Sequence, residues 1–185
     1  GVDLERVDAV ILSHGHYDHG GGLLTFLKRN GNAPVYAHRS AFGAYYSDHG
    51  GSMDYIGLER ELLNSPRLRL LDGDMRISEE AYIFSGVPHD ILWPRSNGTL
   101  YEKSGKGYHL DEFCHEQNLL ITEGGRQVLI CGCAHNGIVN ILKKSHSITG
   151  RWPDAVIGGF HLMNPSRKEE ADRELVEGTA KFLEG

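Results

Sequence analysis

ILSHGHYDHGGGL (residues 11–23) places three histidines and an aspartate within six positions at the end of an apolar run, and three glycines follow at once. The run itself, DAVILSH, reads as a buried strand centred on Val10 and Ile11. In an extended chain His14, His16 and Asp18 would share one face and His19 would take the other. A tight loop can instead wrap all four around a pair of adjacent ions. Imidazole nitrogen and carboxylate oxygen suit Zn²⁺, and also Mn²⁺, Fe or Ni. Gly15, Gly20, Gly21 and Gly22 supply the sharp turning and close backbone approach that such wrapping needs.

Working outward, the same arrangement recurs. His135 follows VLICGCA and His161 follows AVIGGF, so three apolar strands each end in a glycine-rich turn that delivers histidine. Strand ends are where binding sites gather in α/β folds. Between them, GLLTFLKRNG reads as a helix closed by Gly31, and APVYAH as a strand. SAFGAYY and YIGLERELLN read as helices, the second ended by Pro66. RLRLLDG and EAYIFSG alternate as strands. From Val87 to His115 no period is sustained, which marks a lid or binding segment, or else a disordered one. NLLITEG and RQVLICGC form a hairpin turning at Gly124-Gly125. GIVNILKKSHS is a helix, DAVIGGF a strand, and SRKEEADRELVEGTAKFLEG a C-terminal helix with Ser166 and Glu169 as its capping box. Strands alternating with helices make an α/β chain.

The 185 residues suit one domain, spanning 1–185. A net charge of −6 gives no basic face for nucleic acid, so none is expected as a partner. The apolar runs are too short to cross a bilayer, and no membrane partner is expected. Three cysteines form no disulfide or redox motif; Cys131 and Cys133 read as small residues on a buried strand, and reduced thiols fit a cytoplasmic location.

SHGHYDHGGGL resembles the H-x-H-x-D-H signature of the metallo-β-lactamase fold superfamily. CGCAHNGIVNIL and VIGGFHL are similar to the branch of dihydropterin–ribofuranosylaminobenzene phosphate synthase-like proteins, and the likeness runs from Val7 to Leu162. The resemblance implies an αββα sandwich with a dinuclear site at one edge between the sheets. His14, His16 and His135 would hold the first ion, and Asp18, His19 and His161 the second. Two features depart from the family pattern. No aspartate follows the third histidine motif to bridge the ions, since Asp154 precedes its strand. The chain also starts at the strand leading into the motif, whereas the family has several strands before it; either it is a fragment of a longer protein or those strands are lost, and the domain is expected to lack part of its N-terminal sheet. A homo-oligomer covering that exposed edge is then expected.

The implied chemistry is hydrolysis of an ester, amide or phosphoester bond in a small molecule by a metal-bound hydroxide, with two divalent ions, zinc foremost. Asp18 would be a ligand that also orients the nucleophile or receives its proton. Tyr17, His38 and Asn136 are the candidates for touching substrate, and His89 and His109 could reach over the site. Asp111, Glu112 and Glu116 read as a solvated charge run, with one of them a candidate to supply the missing carboxylate. A nuclease or phosphodiesterase, and a non-catalytic metal- or ligand-binding module, are the alternatives.

Overall fold

The computed structural model describes residues 1–163 and 171–185. Three sheets organise it. The first is parallel, in the order β1 (Val10–Ile11), β2 (Val35–His38), β5 (Leu68–Leu71). One-turn helix α1 (Tyr17–Gly20) and helix α2 (Leu23–Arg29) connect β1 to β2. Strand β2 alternates as its sequence suggests: Val35 and Ala37 are buried, whereas Tyr36 and His38 are half-buried. Leu12, Leu23, Phe26 and Leu62 close the core on these residues. Asn30 ends α2 by accepting from the Asn32 and Ala33 amides at 2.9 and 2.7 Å and donating to the Leu4 and Val7 carbonyls.

The second sheet is five-stranded. Its order is β12 (Ala155–Ile157), β11 (Arg126–Ile130), β10 (Gln117–Glu123), β7 (Ala81–Ser85), β6 (Met75–Arg76). The β10–β11 hairpin turns at Gly124 and Gly125, with φ of 56° and 78°. Two consecutive left-handed residues fit the twist of the flanking strands and are cheapest as glycine. Helices α3 (Ile138–Thr149) and α4 (Arg173–Glu184) belong to this half, α3 burying Ile138, Val139 and Leu142 with Phe84, Leu120 and Leu129. Gly150, at φ 74°, stops α3. Asp172 caps α4 by accepting from the Leu175 amide. The expected capping box of Ser166 and Glu169 lies outside the described residues. Gln117 ties the two halves together: its side-chain amide donates to the Leu12 and Tyr36 carbonyls, and its backbone amide to that of Ser13.

The third sheet corrects two expectations. Its order is β4 (Met53–Tyr55), β3 (Tyr45–Asp48), β8 (Leu100–Ser104), β9 (Gly107–Leu110). SAFGAYY is a single 3₁₀ turn, Arg39–Phe42, that breaks at Gly43 and continues as β3. Consecutive aromatic residues after a glycine favour the strand. YIGLERELLN begins at the end of β4 and holds only a 3₁₀ turn, Arg60–Asn64, with Leu62 as its one buried residue. Too few apolar positions fall on one face to sustain a longer helix. The region read as irregular contains the β8–β9 hairpin, turning at Gly105 (φ 60°). Its residues are largely exposed, so no apolar alternation betrays it. No helix among the described residues is long and apolar enough to cross a membrane.

Candidate metal centre

The HGHYDH stretch begins where β1 has ended. His16 takes the N-cap position of α1, so Asp18 and His19 ride on one helical turn while His14 stays in the approach to it. Gly15 permits this path: a Cβ there would collide with the carbonyl of Ala41. His135 arrives from the end of β11 through the turn Cys131–Ala134. His161 arrives from the end of β12. Ala134 and His161 both adopt left-handed backbone, φ 55° and 44°, a conformation that costs a non-glycine residue energy.

These paths converge. The rings of His14, His16 and His135 lie 4.8–5.1 Å apart centroid to centroid, and all three are buried. One ligand atom from each falls within 4.8 Å of the others. His161 packs 4.2 Å from His135, and His19 packs 4.2 Å from His14. Asp18 places Oδ2 3.6 Å from His19 Nε2 and is the most open member, its side chain 58% exposed. Residues from three separate stretches of the sequence, 14–19, 135 and 161, thus share one place. A second triad, His14, His19 and Cys133, also brings its ligand atoms within 4.8 Å.

The donor set fits divalent ions on an observation independent of motif. Nε2 of His14, His16, His135 and His161 is buried and has no hydrogen-bond partner. Leaving one buried polar atom unsatisfied costs about 1–3 kcal/mol, so four at one point imply a group that binds them. Burial, followed by the mutual repulsion of neighbouring imidazoles, holds His14 and His135 well below the ordinary histidine pKa. Burial likewise depresses His19, and His161 to about 4. All four are therefore neutral at pH 7, the form that ligates.

A supporting layer aims the rings. Asn97 donates from Nδ2 to the His135 carbonyl at 2.8 Å, and its Oδ1 lies 2.9 Å from His135 Nδ1. That contact assigns the proton to Nδ1 and leaves the Nε2 lone pair for a metal. Ser13 Oγ stands 3.0 Å from His14 Nδ1 in the same role. Ser96 Oγ donates to the His161 carbonyl. Phe113 stacks on His135, rings 4.3 Å apart and 6° from parallel.

The stretch DEFCHEQ, expected to be largely solvated, divides. Asp111 and Glu116 are buried, at 3% and 0% exposure. Glu116 accepts from the His135 amide at 2.7 Å and from the Asn136 amide and side chain at 2.9 and 2.8 Å. Burial nevertheless pushes its carboxyl up to about 7. Asp111 accepts from the Phe113 amide and from His115 Nε2, whose Nδ1 in turn accepts from the Gly15 amide at 2.9 Å. Burial alone would raise the Asp111 carboxyl; the hydrogen bond from His115 and the His16 imidazole, whose Nε2 stands 3.8 Å away, outweigh it and hold it low. Asn97 and His115 escaped the sequence reading, which held Asp111 and Glu116 only as candidates for a missing carboxylate. The available signal was two acids flanking an apolar Phe-Cys pair immediately before a strand.

The remaining sequence candidates fall differently. Tyr17 is 60% exposed on α1. Asn136 is buried and engaged by Glu116, Phe113 and His89, so it works as structure around His135. His38 accepts from the Ser40 amide and lines a separate cleft of about 730 Å³ with Asp72, His89 and Asn136, in whose wall none of the six converging residues stands. His89 reaches Asn136 and stacks on Trp93; His109 is exposed on β9.

The sequence pattern of the metallo-β-lactamase superfamily matches residues 1–177. The chain is 30% identical over 200 residues to the 7,8-dihydropterin-6-methyl-4-(beta-D-ribofuranosyl)-aminobenzene-5′-phosphate synthase of Methanocaldococcus jannaschii, covering 98% of this chain and 63% of that protein. It is 31% identical over 170 residues to an uncharacterized protein of the same organism, covering 88% and 60%. Among solved structures, Tm1679, described as a metal-dependent hydrolase of the β-lactamase superfamily, superposes with a TM-score of 0.81 at 26% identity over 100% of this chain and 66% of that one. The chain therefore spans just under two-thirds of the length of these relatives. An N-acyl homoserine lactone hydrolase, 15% identical with a TM-score of 0.50 over 86% and 58% of the two chains, shares the fold. The pattern runs through nearly the whole sequence: the chain belongs to the metallo-β-lactamase superfamily.

Proposed function

We propose that this chain is a metal-dependent hydrolase of a small molecule, cleaving an ester, amide or phosphoester bond with two divalent ions, zinc foremost. The observation that carries the reading is the convergence of four buried, unpartnered Nε2 atoms beside an exposed carboxylate. Divalent ions bound there supply Lewis acidity and activate water near neutral pH. His14, His16 and His135 hold the first ion, and Asp18, His19 and His161 face the second. The chain's own groups do the rest. Asp18 is the only carboxylate of the cluster open to solvent, so it orients the attacking water and takes its proton at an Oδ atom. Asn97, Ser13 and Glu116 keep the rings and the His135 turn in place while charge develops. Tyr17, projecting from the same helical turn, is placed to meet a substrate entering on that side.

The relative named a synthase supports a second reading, in which a comparable site transfers a group to an acceptor other than water. The net charge of −6 weighs against a polyanionic nucleic-acid substrate. The test is a panel of chromogenic esters, amides and phosphoesters offered to the zinc- and manganese-loaded chain, with and without an amine acceptor. Turnover in water that is lost in Asp18→Ala supports the hydrolase. Metal bound at full occupancy with no turnover of any class would sink it, and turnover that requires the acceptor would favour the transferase.

A further inference from the structure

Two cysteines stand two residues apart after β11 and meet different surroundings. Cys131 is packed: it is 7% exposed, and its Sγ lies 3.7 and 3.9 Å from the carbonyls of Ile157 and Gly159. Cys133 is half-buried, and its Sγ lies 3.1 Å from Nε2 of His19. The turn that carries it is pressed onto the HGHYDH loop. A Cβ at Gly132 would overlap Ser13 Oγ and come within 3.0 Å of His14 Nδ1, while one at Gly159 would stand 3.4 Å from the Cys133 Cα. The clash at Gly132 and the tight fit at Gly159 show that the turn carrying the thiol lies close against both neighbouring segments. His14, fully buried with an unpartnered Nε2, belongs to the same triad of ligand atoms as Cys133 and His19. Asp18 Oδ2 lies 3.6 Å from the same His19 Nε2.

We infer that Cys133 is the sulfur ligand of the second metal position, completing with His19 and Asp18 a mixed nitrogen, oxygen and sulfur set. The inference rests on the metal-centre reading above and adds a ligand to it. On binding, the Sγ–H bond breaks, the proton passes to solvent, and a sulfur lone pair forms the metal–sulfur bond; nothing is oxidised or reduced. The consequence is selectivity. A thiolate favours zinc and disfavours the harder manganese and magnesium ions, so the second position discriminates where an all-oxygen and imidazole set would not.

The test is a Co²⁺ titration of the full chain followed by absorption. The expected result is visible d–d bands joined by a near-ultraviolet sulfur-to-cobalt charge-transfer band as the second equivalent binds. Cys133→Ser should lose that band and bind the second equivalent about tenfold more weakly or worse, whereas Cys131→Ser should keep both. Should Cys133→Ser fail to fold, alkylation mapping on the unaltered chain decides: zinc should shield Cys133 and leave the exposed Cys114 reactive. Visible bands without the charge-transfer band, a band that survives Cys133→Ser, or equal alkylation of Cys133 with and without bound zinc would each overturn the inference and leave the hydrolase reading standing. No cobalt bands at all would overturn both.

Discussion

The two halves of the metal centre are built to different standards. His14, His16 and His135 are buried, and the rings of His14 and His135 are each fixed by a partner on Nδ1, Ser13 for one and Asn97 for the other. Asp18 and His19 ride on a single helical turn, partly open to water, and Nδ1 of His19 has a more distant contact with Ser13 Oγ, at 3.5 Å. The comparison teaches that the first position is organised by the protein alone, while the second takes its final geometry from whatever binds there. Preorganisation is a matter of which side chains have their free torsions already spent.

The largest effect expected from that difference is at the buried triad. His14→Ala or His135→Ala should lower metal content to the point of losing the first ion and reduce turnover at least about a hundredfold, since even outer supporting residues are worth about 10–100-fold. Elemental analysis beside a rate assay reads both, and unchanged occupancy in both variants would break the shared-cage description. Next comes Asn97→Ala, which touches no metal. It should weaken the first position about tenfold and leave the second unchanged; equal weakening of both would show that the two positions are not independently supported.

Metal removal separates the halves by stability. An ion present at about a hundred times its Kd stabilises the fold by about 2.7 kcal/mol, worth about 5–11 °C in Tm for a chain of this size. Stepwise chelation should release the exposed position first with the smaller part of that shift. A single cooperative loss would contradict the contrast drawn here.

The smallest effect is in pH. In the metal-free protein His14, His135 and His161 have folded pKa values below the unfolded value of about 6.5. The unfolded chain therefore binds more protons as pH falls below that value, and stability drops from pH 7 toward pH 5. Glu116 acts in the opposite sense: its folded value of about 7 exceeds the unfolded one, so its contribution is present at low pH and is lost as pH rises through 7. Three histidines against one carboxyl give a net fall on acidification. Urea midpoints at pH 7.5 and 5.5 read the sign, and a rise at the lower pH would show that Glu116 dominates.

Much of this was legible from residues alone. The cluster HGHYDH announces itself because histidine and aspartate at that spacing, with glycine inside it and after it, have few structural uses. The Gly124-Gly125 hairpin is equally local, since two left-handed residues select glycine. His135 and His161 could be tied to the motif because each ends an apolar strand. The β8–β9 hairpin was not legible because its faces are too exposed to carry an apolar period, and β3 because four residues, two aromatic and then two polar, show no alternation.

Tertiary structure alone decided the rest. Asp111 and Glu116 are buried although their type and setting point to solvent; burying a carboxylate is tolerable only when donors from elsewhere in the chain, here His115 and the His135–Asn136 turn, arrive together. Cys131 and Cys133 are the same residue two positions apart, and nothing local distinguishes them. A left-handed turn at Ala134 and the glycine contacts beside it send one thiol into the core and the other to His19. Ligand type is written in the sequence because it is chemistry carried by single residues; ligand position and the company each charge keeps are not, because they depend on distances between segments that only the packed chain sets.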